Sequence, residues 1–292
     1  MLHISREQLA LSFVVLATAA CASPPDRDNA QATVNAASPM SGPAWVVEQF
    51  YGRPTFPQLD QYITGEFAEH YRDAGTMGER LPRGAAVRSR ALRQDDTVAV
   101  FATAIRDRHH TRDWYTFLQR EDGRWKIAAV RTLALPPIAY VLPDSMRARF
   151  RAKLLPDSLV AVMERMALTV ASDSALSAYV LVHQADLLTL AQRTAAIPEL
   201  DAISVDGQVS PSGTLRPQQQ SALVDDMRAL NIGAIIREPE YPQCTFLKVG
   251  GEHDDHVGFL YAPPGCTLPA LTANRFIYLE QAGNHWYVYK TT

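Results

Sequence analysis

The sequence predicts an α+β protein of two modules, each with helices first and an antiparallel β-meander after them. Three observations predict it. The apolar spacing changes from helical to strand-like near Thr97, and again at Ile232. Asp122-Gly123 sits between two apolar runs, the strongest short-range signal for a hairpin. Pro136-Pro137 and Pro143 separate the two halves. A length of 292 residues allows one large domain or two of ordinary size. A 47% hydrophobic fraction with 20% charged residues is enough to build a core. The formal net charge of -3 supplies no basic field, which argues against a nucleic-acid partner.

Residues 1–21 read as an export leader. Arg6 and the amino terminus precede the apolar run LALSFVVLATAA, and Cys21 follows it. A run of about twelve residues suits a signal peptide and falls short of the roughly twenty needed to span a bilayer. The ending Leu16-Ala17-Thr18-Ala19-Ala20-Cys21 resembles a bacterial lipoprotein signal, with Thr18 where that pattern usually has an aliphatic residue. The resemblance implies that Cys21 becomes the first mature residue, carrying a thioether-linked diacylglycerol and an acylated amine. More than one acyl chain is what stable anchoring requires. Ala22 after the cysteine implies, by the sorting rules of enteric bacteria, the outer membrane facing the periplasm. The alternatives are an ordinary secretory signal cut near Ala20 or Ala22, leaving a free periplasmic or secreted protein, and a cytoplasmic start with a buried apolar helix.

Residues 22–43 are rich in Pro, Ser, Ala, Asn and Asp, with Val34 and Met40 as large apolar side chains. Such a segment buries too little surface to offset its ordering entropy. It is expected to be a tether with a reach on the order of 25 Å.

The first module is expected over residues 44–137. Trp45, Val46, Gln49 and Phe50 share one helical face, and Gly52, Pro54 and Pro57 end that helix. A second helix from Gln58 to Arg72 is split or kinked at Thr64-Gly65, and a loop is expected from Asp73 to about Arg90. Strands follow over Thr97–Arg106, Asp113–Arg120 and Arg124–Leu135. A two-residue turn at Asp122-Gly123 sets Leu118 opposite Ile127, Phe117 opposite Ala128 and Tyr115 opposite Val130. Both hairpin faces then carry apolar side chains. One should meet the helices, and the other should be covered by the second module or another chain. Two helices and a meander ending WYTFLQREDGRWKIAAVRTL resemble the nuclear transport factor two-like fold, a curved sheet forming a cone around helices. That fold hosts enzymes and pure interaction modules alike.

The second module is expected over residues 144–292. Helices are expected at Ser145–Leu155, at Asp157–Val170, and from a Ser172 or Asp173 cap to about Arg193. The third carries a stripe of Leu176, Tyr179, Val180, His183, Leu187 and Leu190. Ile203 and Val205 suit a short strand, and Pro217 suits the first turn of another helix. Strands are expected at Ile232–Arg237, Thr245–Val249, Val257–Tyr261, Arg275–Leu279 and His285–Lys290. The ending, GFLYAPP and then FIYLEQAGNHWYVYK, resembles the C-terminus of a group of uncharacterised bacterial envelope proteins.

Candidate chemistry is sparse. With Cys21 lipidated, Cys244 and Cys266 remain as an even pair, a disulfide candidate in an oxidising compartment. His253, Asp255 and His256 lie in an acidic and imidazole-rich stretch, but their spacing matches no familiar zinc site and a solvated hairpin tip is expected. His109-His110 reads as a solvated turn, and His183 as a core histidine. Asp60, Tyr62, Asp113 and Tyr115 are the groups available to a tuned site in the cone. No nucleophile elbow, P-loop or dinucleotide motif occurs, so no catalytic residue and no cofactor is assigned. The expected function is a non-enzymatic, membrane-anchored interaction module that binds an envelope protein or itself. The alternatives are a small-molecule carrier or isomerase- or cyclase-like enzyme using the cone, and an inhibitor or immunity-type protein.

Overall fold

The computed structural model describes residues 42–52, 55–71, 75–108, 110–135, 139 and 156–292. Cys21, most of the tether, His109 and the helix expected at Ser145–Leu155 lie outside the described residues. The fold is α+β, with helices packed on antiparallel sheets.

Pro43 opens helix α1, Pro43–Tyr51, where its missing N–H costs nothing. The expected second helix is split, into a 3-10 turn at Leu59–Tyr62 and helix α2, Gly65–Tyr71. A short helix α3, Met77–Arg80, follows, capped by Thr76 Oγ1 accepting from Glu79 N.

Strands β1 (Ala86–Gln94), β2 (Val98–Arg106), β3 (Thr111–Glu121) and β4 (Arg124–Arg131) form one antiparallel sheet in that order. β1 corrects the expected loop. It is an edge strand carrying Arg88, Arg90 and Arg93, and none of its side chains is buried. Neither face therefore imprints an apolar alternation on the sequence, and charged side chains on an edge discourage further pairing.

The β3–β4 turn has positive φ at both Asp122 (50°) and Gly123 (77°), as a type I′ turn requires. Leu118 pairs with Ile127 as expected. Beyond it Ala128 is an extra residue, so Phe117 pairs with Ala129 and Tyr115 with Arg131. The expected pairs Phe117–Ala128 and Tyr115–Val130 are thus displaced by one residue, the effect of a β-bulge.

Each face of this sheet is buried. Ala99, Phe101, Ile105, Leu118, Trp125 and Ile127 pack on Val46, Val47, Phe50, Tyr51, Phe56 and Phe67 of the helical layer. On the opposite face Val100, Ala102, Tyr115, Phe117 and Ala129 join a core with residues from the second half of the chain. The second face is covered within the same molecule.

The second half begins with helix α4, Asp157–Thr169, and helix α5, Asp173–Ala195. Ser172 caps α5, its Oγ accepting from Ala175 N at 3.3 Å. Strands β5 (Ala202–Ser204) and β6 (Val209–Ser210) precede helix α6, Pro217–Ala229. Then come β7 (Ala234–Ile236), β8 (Thr245–Glu252), β9 (Asp255–Tyr261), β10 (Phe276–Gly283) and β11 (Trp286–Thr291). They form a seven-stranded sheet in the order β10-β11-β9-β8-β7-β5-β6. Leu176, Val180, Leu187 and Leu190 of α5 share a core with Val249, Phe259, Ile277, Trp286 and Val288 of this sheet. On its other face Phe246, Leu260, Phe276 and Tyr289 lie with Cys244 and Cys266 in a smaller cluster. Cys244 and Cys266 form a disulfide with Cα atoms 5.5 Å apart, which ties the loop after β9 to the start of β8. Among the described residues, no helix is long and apolar enough to cross a membrane.

Candidate functional site

Asp113, Tyr115 and Phe117 alternate on one face of β3, and Trp114, Thr116 and Leu118 on the other. Asp113 and Tyr115 therefore point toward the second half of the chain. On β11, Trp286, Val288 and Lys290 alternate in the same way, so Lys290 faces inward at an otherwise apolar phase. Asp173 is the first residue of α5, placed there by the Ser172 cap. These elements converge on one buried ionic cluster.

Lys290 Nζ lies 2.9 Å from Asp173 Oδ1 and 3.4 Å from Asp113 Oδ2. Tyr115 Oη donates to Asp173 Oδ1 at 2.7 Å. The backbone N–H of Asp173 donates to Asp113 Oδ2 at 2.8 Å. The Lys290 ammonium also lies 5.7 Å from the centroid of the Tyr115 ring and 5.9 Å from that of Tyr278. The side chains of Lys290, Asp113 and Asp173 are only 5%, 5% and 6% exposed. Toward solvent, Tyr278 Oη donates to Glu280 Oε2 at 2.6 Å, and Arg90 of β1 pairs with the same carboxylate.

The electrostatics follow from burial. Burial, with the Asp173 charge beside it, raises the Asp113 carboxyl above the ordinary carboxylate range, against the pull of Lys290. Burial works against the charge on Lys290, but Asp173 and Asp113 outweigh it and hold the ammonium above the usual lysine range. The Tyr115 phenol is pushed far up by burial and by the two aspartates. Lys290 is thus a cation and Tyr115 a neutral donor at physiological pH, which is ion-pair chemistry. An amine held charged in this way is no nucleophile.

A cleft touches the cluster. Thr111, Arg112, Asp113, Thr132, Thr169 and Lys290 are among its lining residues. Thr132 Oγ1 donates to the Asp113 carbonyl at 2.9 Å and Thr169 Oγ1 to the Arg165 carbonyl at 2.8 Å.

The structure joins Asp113 with Tyr115 and separates both from Asp60 and Tyr62. Asp60 is exposed on the 3-10 turn. Tyr62 is half-buried, its ring 4.8 Å from Phe56 and 5.5 Å from Trp45, on the helical side of the sheet. On that side Phe50, Phe56, Phe67 and Tyr71 fill the space between sheet and helices with ring contacts. His253 has positive φ (48°) in the β8–β9 turn, where Glu252 pairs with Asp255, so the expected hairpin tip is present. Asp255 Oδ1 accepts from Ala134 N at 3.0 Å. His256 is half-buried, and burial lowers its basicity, with Lys248 nearby adding to the effect. Among the described residues, no three His, Cys, Asp or Glu side chains are placed to share a metal ion. The His183 ring lies 4.2 Å from that of Tyr179, half-buried on α5.

Sequence reasoning missed Lys290, Asp173, Tyr278, Arg90 and Glu280. One signal was readable. In Trp286-Tyr287-Val288-Tyr289-Lys290 the lysine falls on the phase of Trp286 and Val288, and a cation at a core phase calls for a buried counter-charge.

Comparison with protein-family models, with curated proteins and with solved structures finds no match.

Proposed function

We propose that the chain is an exported, lipid-anchored protein of the cell envelope that works as a non-enzymatic interaction module. Cys21 is the anchor and residues 22–43 the tether. The four-stranded sheet with α1, the 3-10 turn and α2 on one face is a nuclear transport factor two-like module. The second half of the chain is its α+β companion.

One observation carries the non-catalytic reading. Asp113 and Tyr115, the two candidate site residues that converge, are committed to a buried network with Lys290 and Asp173. The aromatic filling beneath the sheet agrees with it. The Cys244–Cys266 disulfide supports an oxidising compartment. The test is in situ crosslinking and pull-down from intact envelope, with the Cys21→Ser variant for comparison. A specific crosslinked species, lost or relocated in the variant, is expected. Recovery of neither a partner nor a second copy sinks the reading.

A further inference from the structure

We propose that the outer face of the seven-stranded sheet carries an oxyanion site, built by Lys248, Tyr289 and His256, that takes a phosphate group, free or as a lipid headgroup. The site is separate from the buried ionic cluster. Tyr289 and Lys290 are neighbours on β11, so their side chains leave opposite faces of the sheet.

Register brings the three groups together. Lys248 of β8 pairs with Gly258 of β9, and Gly258 pairs with Tyr289 of β11. Directly opposed residues share a face, so Lys248, Gly258 and Tyr289 form one row across three strands. Gly258 puts no side chain in the middle of that row. The Tyr289 hydroxyl takes part of the space, because a Cβ on Gly258 would sit 2.8 Å from Tyr289 Oη. The phenol thus leans across β9 toward the strand that carries Lys248. His256 lies two residues before Gly258 on β9, hence on the same face.

Neither end of the row is satisfied. Tyr289 is 3% exposed, yet among the described residues its hydroxyl has no hydrogen-bond partner. Lys248 is half-buried, and among the described residues its ammonium has no hydrogen bond or ion pair. A buried phenol ordinarily finds a partner, and a cation drawn out of water ordinarily recruits a carboxylate. Glu238, which acts on Tyr289 electrostatically, is paired with Arg275. Burial alone lowers Lys248 from the ordinary lysine range, with no described carboxylate opposing it. His256 is lowered by burial first and by Lys248 second, against the weaker pull of the His253 carbonyl, Asp254 and Asp255. A bound anion relieves both cationic groups. One of its oxygens accepts from Tyr289 Oη, a second from the Lys248 ammonium, and a third faces the imidazole, a set that phosphate supplies. Half-buried Leu279 and Tyr287 give the glyceryl part of a headgroup an apolar margin on this face.

Two probes test the site on the full chain carrying Cys21→Ser, which removes the proposed lipid attachment point. One is sodium phosphate, with ionic strength held constant by chloride. The other is vesicles of phosphatidylglycerol in phosphatidylcholine. Calorimetric titration should show saturable phosphate binding in the millimolar range, and the His256 ring resonances should move with it. Lys248→Met should weaken binding about tenfold or more, the loss of a charged hydrogen bond, and Tyr289→Phe about threefold to tenfold. Tyr289→Phe should keep the wild-type melting temperature, because the hydroxyl bonds to nothing in the free protein, whereas a structural hydroxyl would cost stability on removal. Arg83→Gln, an equal loss of charge on an exposed loop, should bind as the wild type does. Saturable phosphate binding assigns a free ligand. Binding to the phosphatidylglycerol vesicles alone, lost in the same two variants, assigns a lipid headgroup. A chain that responds to neither probe overturns the inference, as does binding that survives either substitution, which would be a diffuse ion effect only.

Discussion

Asp113 Oδ2 accepts the backbone N–H of Asp173 at 2.8 Å, so a strand of the first sheet caps the 23-residue helix α5 of the second half. A helix N-terminus presents unpaired N–H groups and a partial positive charge, and a carboxylate answers both. Here the carboxylate comes from a residue distant in sequence. The contact therefore fixes how the two halves meet as well as where α5 begins. The like charges of Asp113 and Asp173 are tolerated because Lys290 lies within ion-pair distance of both.

Lys290→Met should remove that cation and leave two buried carboxylates facing each other, with only the half-exposed Arg90 within ion-pair distance of Asp173. Breaking a buried pair from one side costs about 3–5 kcal/mol. Urea denaturation should show a loss of this size. A loss below about 1 kcal/mol, as for a surface pair, would mean the cluster is hydrated and not a lock.

Arg90 makes the contrast. It binds Glu280 through two nitrogens and reaches Asp173 Oδ2 at 3.8 Å, but its side chain is 44% exposed. Arg90→Ala should cost no more than about 1 kcal/mol, and the cost should shrink as salt is raised. A large, salt-independent loss would place Arg90 inside the lock.

The disulfide is expected to hold the loop after β9 over the apolar cluster of Phe246, Leu260, Phe276 and Tyr289. Its cysteines are 22 residues apart in sequence. Closing a loop of this size is worth about 3 kcal/mol in the chain-entropy account. Replacing both Cys244 and Cys266 by Ala should lower the unfolding free energy by about that amount. Unchanged stability on denaturant titration would show that the loop needs no staple.

Gly123 carries φ of 77° in the turn between β3 and β4. A side chain there pays the left-handed penalty of roughly 1–2 kcal/mol. Gly123→Val should lie at the upper end, because branching at Cβ worsens the clash. A variant as stable as wild type in thermal unfolding would show that the turn relaxes to another type.

The parts of the fold that were legible in the sequence are those set by local chemistry. Asp122-Gly123 specifies its turn through backbone freedom, Ser172 its helix start through a side-chain acceptor, and Pro217 another through a missing N–H. The bulge at Ala128 was not legible, because a one-residue slip depends on packing across the whole hairpin. Strand β1 was hidden because an edge strand with no buried side chain has no apolar period. Of the site, Asp113 and Tyr115 were readable as candidate polar groups on a strand. Their partners Asp173 and Lys290 lie 60 and 177 positions further on, and only tertiary structure brings them together.

Asp113 should leave a signature in the pH dependence of stability. Its folded pKa is raised, chiefly by burial. An unfolded aspartate titrates near about 3.9. A group raised on folding contributes stability that is fully present below the unfolded value and is lost as pH rises through the folded one. Asp113→Asn removes this titration while keeping an oxygen to accept the Asp173 N–H. Carboxylates remote from the cluster titrate alike in both proteins and cancel from the comparison, so the difference reports Asp113 together with the Asp173 carboxylate beside it. The wild type should therefore gain on the variant as pH falls from neutral into the mildly acidic range, and lose ground again as pH returns to 7. The variant should stand closest to wild type, or above it, at neutral pH, where the wild type holds two buried carboxylates against Lys290 and the half-exposed Arg90. Urea midpoints for both proteins at several pH values between about 4 and 8 check the slope. A stability difference that is constant across that range would show that Asp113 titrates as an ordinary surface carboxylate.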